Sequence, residues 1–122
     1  MPAGPRSLAP AGSSMGAVSV PVSLAELPAA IERFGSNPYL VTVGADAAPR
    51  ATSVRVRWQG RVLMTGAGTR TAANIRENET IVLLWPAPAP GEHALIVDGC
   101  AEVHGADVLI RPAKAVLHVT RH

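Results

Sequence analysis

Thr65-Gly66-Ala67-Gly68-Thr69-Arg70 is the stretch on which the reading of this chain turns. An apolar run ends at Thr65, crosses two glycines and enters a segment that opens with a hydroxyl and a guanidinium. A strand feeding a helix N-terminus in this way is suited to anions. The first amides of the helix have no partner within it, its dipole favours negative charge, glycine lets a ligand approach the backbone, and arginine supplies a forked donor. The same residues also fit a plain strand-to-helix connection with a solvated Arg70. The segment is neither a Walker loop, which ends in GK[ST], nor the dinucleotide fingerprint GxGxxG.

Working outward, Ala51 to Trp58 alternates, with Thr52, Val54, Val56 and Trp58 on one face and Ala51, Ser53, Arg55 and Arg57 on the other. Gln59-Gly60 turns that strand into Arg61 to Thr65. Together with Arg70, the basic face of the first strand suggests a phosphate pocket, although singly each arginine is equally at home on a solvated face. Beyond the glycines, Thr69 to Asn78 is expected as a helix with Ala72, Ala73 and Ile75 on its buried side. Strands follow at Thr80 to Trp85, Ala94 to Val103, Val108 to Ile110 and Ala115 to Thr120, with a Pro/Ala loop from Pro86 to Gly91. Before the strand pair, Ser23 and Glu26 have capping-box spacing for a helix over Leu24 to Phe34, with Gly35 as terminator. Pro28 allows a later start, after an irregular turn. Tyr39 to Val43 is the first strand of the series and Gly44 to Pro49 its turn. The count is about six strands and two short helices, a mainly β domain that closes as a barrel or sandwich.

At 122 residues the chain is long enough for one compact core and too short for two. Apolar residues make up 48% and charged residues 16%, which favours folding over disorder. Residues 1–22, rich in Pro, Gly, Ala and Ser, are expected as a flexible lead without a secretory pattern, and residues 23–122 as the domain. No run approaches the roughly 20 apolar residues of a membrane span. Cys100 has no other cysteine to pair with, so a reducing cytoplasm is the expected setting. The formal charge of +2 and the four aromatic residues give little footing for a nucleic-acid partner.

The order of these motifs resembles one family. The hydroxyl-bearing strand Thr52-Ser53-Val54-Arg55-Val56-Arg57, the segment Gly68-Thr69-Arg70-Thr71-Ala72-x-Asn74-Ile75-x-x-Asn78, and Ile81-Val82-Leu83-Leu84-Trp85-Pro86 are similar to the pyridoxamine 5'-phosphate oxidase-like split β-barrels. The resemblance covers roughly Leu24 to Thr120. It implies a six-stranded antiparallel split barrel and a homodimer with cofactor sites at the interface. It further implies flavin mononucleotide (FMN), or else a deazaflavin coenzyme or haem, as cofactor. Thr52, Ser53, Val54 and Arg55 would line the ring or ribityl chain, and Arg57, Thr69 and Arg70 would hold the phosphate. Thr65 ends the neighbouring strand, and Trp85 and His93 match positions on the partner subunit's side of the site. The chain departs from the family pattern at Thr71, where a second phosphate cation is usual, and at Ala94, where some oxidases carry a polar contact to the flavin. It also lacks the C-terminal arginine-bearing extension, which speaks against vitamin B6 oxidation.

The remaining candidates read as structural. Of His93, His104, His118 and His122, only the last two have a metal-ligand spacing, and no metal site is expected. Cys100 is expected as a small core or interface residue, and Trp58 and Trp85 also read as packing anchors. The expected activity is a flavin- or deazaflavin-dependent oxidoreduction of a small molecule, with a non-catalytic flavin or haem binder as the alternative.

Overall fold

The computed structural model describes residues 17–120. In chain order the elements are β1 (Ala17–Val22), α1 (Leu27–Phe34), β2 (Tyr39–Val43), β3 (Pro49–Ser53), β4 (Arg57–Gln59), β5 (Val62–Gly66), α2 (Thr69–Glu77), β6 (Thr80–Trp85), β7 (Ala94–His104) and β8 (Asp107–Thr120). All pairings are antiparallel, in the order β3-β2-β6-β7-β8-β5-β4, with β1 also on β8. No ladder joins β3 to β4 among the described residues, so the sheet is split rather than closed. This is a mainly β split-barrel architecture with two short helices, as the sequence leads one to expect, but with eight strands among the described residues rather than about six.

Three details differ from the sequence-based expectation. The run from Ala51 to Trp58 is not one strand, because residues 54–56 leave the ladder. Their amides turn to the segment before β2, with Val54 donating to the Pro38 carbonyl at 3.0 Å and Val56 to that of Ser36 at 2.8 Å. The two short strands expected at the C-terminus form the single strand β8, whose first half pairs with β5 and whose second half pairs with β1. A register shift between Asp98 and Gly99 of β7 accompanies the change of partner. Finally, residues 17–22, expected in the flexible lead, form β1, while residues 1–16 lie outside the described residues. His122 lies outside them too.

The core follows from strand alternation. Leu40, Leu63, Leu83, Leu95, Val97 and Ile110 are sealed from solvent on the inner face, each contributing about 1.5–3 kcal/mol of burial. Trp85 joins them at 2% exposure, and its indole N–H donates to the Gly35 carbonyl at 2.8 Å, tying β6 to the end of α1. The opposite face of β7 carries Asp98, Cys100 and Glu102, so Cys100 is exposed rather than a core residue. The same outer face presents a row set by register: Ser53, Tyr39, Leu84, Ile96 and Val116 on successive strands, with Val41 beside Val82. No helix is long and apolar enough to cross a membrane.

Candidate functional site

At the end of β5 the glycines expected to feed a helix do so, with Gly68 as the N-cap of α2. No side chain caps this helix start. The first intrahelical bond runs from the Ala72 amide to the Gly68 carbonyl at 3.0 Å, which leaves the amides of Thr69, Arg70 and Thr71 ahead of the ladder. The helix is locked to the sheet from its other side. Asn74 Nδ2 donates to Thr42 Oγ1 at 3.1 Å, and Gly44 lies so close that a methyl group there would collide with the Asn74 carboxamide.

A cleft of about 340 Å³ opens at this helix start, lined on one wall by Thr52, Ser53, Val54 and Arg55 and on the other by Thr65, Gly66, Ala67, Gly68 and Thr71. Five of the ten sequence-derived site residues therefore meet in one place: Thr52, Ser53, Val54, Arg55 and Thr65. Thr65 Oγ1 donates to the Arg55 carbonyl at 2.7 Å across the cleft floor. Arg55 is exposed and has no ion pair among the described residues, so its guanidinium is available to a ligand.

The other five stand apart from that lining. Arg57 lies on β4, past the break at residues 54–56, so the two arginines do not belong to one continuous strand. Thr69 and Arg70, in the first turn of α2, are exposed beside the lining residues. Trp85 is enclosed in the core by the inward alternation of β6 and is not a surface contact of this chain. His93 is half-buried in a different cleft with Arg33, Phe34 and Leu117. Gly66, Ala67, Gly68 and Thr71 are the lining residues missing from the sequence-derived set. Thr71 is 3% exposed, and its place three residues after the N-cap was the available signal.

The titrating groups whose ordinary values are disturbed lie elsewhere. Glu26 is held below the usual glutamate value by the Ser23 amide and then the Ser23 hydroxyl. Glu102 is likewise lowered, by hydrogen bonds from His104 and then Arg111. His118 is hydrogen-bonded to Ser19 at 3.0 Å. The cleft is thus a neutral hydroxyl and amide surface with one cation, an arrangement that can bind an anion and contains no acid-base pair.

No protein-family model matches the chain, and no curated protein sequence does. Solved structures do. A protein of Listeria innocua named as a candidate pyridoxamine 5'-phosphate oxidase is 20% identical, with a TM-score of 0.61 over 78% of this chain and 98% of that one. An F420 reductase is 18% identical, with a TM-score of 0.55 over 66% of this chain and 88% of that one. The FAD binding protein from Mycobacterium smegmatis is 14% identical, with a TM-score of 0.60 over 83% and 97%. The fold is that of the pyridoxamine 5'-phosphate oxidase-like split barrels.

Proposed function

We propose that the chain is a flavin- or deazaflavin-dependent oxidoreductase of a small molecule, with FMN the first cofactor to test. The carrying observation is the bare start of α2 facing Arg55, Thr52 and Ser53 across one cleft. The residues fit a phosphorylated cofactor. Gly68 has a φ of −73°, open to any residue, and an added Cβ would meet nothing within 4 Å. Neither conformation nor packing requires glycine there, and its missing side chain keeps the cradle open. The amides at the helix start and the Arg55 fork would hold the phosphate, while the Thr52 and Ser53 hydroxyls would bond the polar chain behind it. A bound flavin or deazaflavin would supply the hydride or electron transfer itself. The names of the neighbours, an F420 reductase and an FAD binding protein among them, favour this cofactor class.

The working form would be a homodimer. One chain leaves the cleft open at Ser53, whereas ligand sites commonly bury most of their ligand. Ser53 begins the apolar outer row, and Tyr39 in that row is 44% exposed. A second copy seated on that face would cover both. The non-catalytic reading rests on Thr71, a neutral lining residue where the family resemblance leads one to expect a cation.

Incubation with FMN, a deazaflavin coenzyme or haem, then desalting and a visible absorption spectrum, tests the reading. Retention of a flavin or deazaflavin at about one per chain supports it. Retention of haem alone, or of nothing, overturns it. Reduction of the retained cofactor by a reduced nicotinamide, and its reoxidation by an acceptor substrate, would separate enzyme from binder.

A further inference from the structure

Thr65 is a core-facing hydroxyl in β5, flanked by the buried Leu63 on its own strand and paired with the buried Val108 of β8. A valine would suit that position as a strand residue, so the hydroxyl calls for a reason. Its oxygen lies 2.7 Å from the Arg55 carbonyl and 3.3 Å from the Gly66 carbonyl, one on each wall of the cleft. We propose that Thr65 is a positioning residue, a clamp that fixes the Arg55 wall against the glycine wall and so sets Arg55 for anion binding. This inference rests on the anion-site reading above.

A hydroxyl has a single proton, and the shorter contact takes it, so Thr65 has none to give a ligand. The segment it holds needs holding. Residues 54–56 belong to no strand, and their other ties run the opposite way, through Val54 to Pro38 and Val56 to Ser36. Among the described hydrogen bonds, the one from Thr65 alone joins Arg55 to the β5 side. Without it the Arg55 backbone is tied to the β5 side only through Arg57, two residues on, which pairs with Met64, and ordering it more closely would be charged against binding. Serine keeps the hydroxyl and valine keeps the shape, so the two variants separate geometry from bulk.

The experiment is a double-mutant cycle read by FMN titration at a temperature where every variant is folded. T65V should raise the dissociation constant at least tenfold and T65S no more than about threefold. In an R55A background T65V should add less than about twofold, because the clamp acts through Arg55. Wild-type affinity in T65V, or independent and multiplying effects of T65V and R55A, would overturn the clamp while leaving the anion site standing. If the wild type itself binds no FMN, the anion-site reading fails. The clamp is then judged by amide hydrogen exchange without ligand: faster exchange at Val54 and Val56 in T65V, restored in T65S, upholds it, and unchanged exchange sinks it.

Discussion

Ahead of α1 the chain ties up its amides through Ser23, Leu24 and Glu26, whereas the first three amides of α2 have no partner among the described hydrogen bonds. Ahead of α1, the Ser23 amide and hydroxyl both donate to Glu26 Oε1, at 3.1 and 2.9 Å, and the Glu26 amide donates back to Ser23 Oγ at 3.2 Å. Pro28 removes one further donor from the first turn. Neither helix has a side-chain cap or an acidic residue in its first turn, but α2 starts on a glycine with no such hydroxyl–carboxylate box ahead of it and no proline in its first turn. One terminus therefore carries local stabilising contacts that the other lacks, and under the proposed function the other is left for a ligand. The flanking residues differ too: the α2 start shares its cleft with Thr52, Ser53 and Arg55, while the α1 start adjoins a cleft lined mainly by apolar residues, Leu24, Leu27, Pro28 and Trp58 among them.

This contrast can be broken from either end. Gly68→Asp would give α2 its own carboxylate cap and set that charge where the phosphate should sit. It should weaken FMN binding by about a hundredfold or more while raising the melting temperature, as titration and thermal denaturation would show together. Arg55→Ala should weaken binding roughly 10- to 100-fold, the worth of one charge-assisted contact, with little change in melting temperature because the side chain is exposed. Ser23→Ala should do the reverse, lowering the melting temperature by roughly 5 °C without altering FMN affinity. Its effect should depend on pH. Glu26 has a lowered folded-state value, so its contribution is complete above the ordinary glutamate value and is lost as pH falls through the folded one. Melting curves of the wild type and Ser23→Ala should accordingly converge in acid. The smallest effect lies in the β2-β3 turn, where Ala47 has a φ of 63°. Ala47→Gly should stabilise by about 0.5–1 kcal/mol in chemical denaturation and leave binding untouched.

Much of this was legible in the sequence where the signal is local. The Ser23/Glu26 box, the β4-β5 hairpin and the glycine entry to α2 depend on residues within a few positions of one another, although the hairpin turns at Gly60-Arg61, one residue beyond the expected Gln59-Gly60. The alternation from Ala51 to Trp58 also holds for burial, with Val56 buried and Arg55 and Arg57 exposed. It conceals the break at residues 54–56, because side-chain alternation continues while the backbone changes partners to Ser36 and Pro38. β1 was hidden for the converse reason. Val18, Val20 and Val22 alternate with Ser19 and Pro21, but the pairing that makes them a strand is to residues 115–120, and the Pro-rich stretch before them reads as a lead. In the site, the hydroxyl strand and the glycines were readable. The places of Trp85 and His93 were not, since a family position says nothing of which way β6 turns its side chains in this chain. Thr71 drew notice only as a missing cation, and its burial against the cleft emerges from the packing of α2.

The most direct test of the central claim is a calorimetric titration of FMN into the wild type and into Gly68→Asp, side by side. Saturable binding at about one FMN per chain is expected in the wild type, and its loss is expected in a variant that melts no lower. Equal binding by the two proteins would contradict the claim, because the bare start of α2 would then not be where the anion sits.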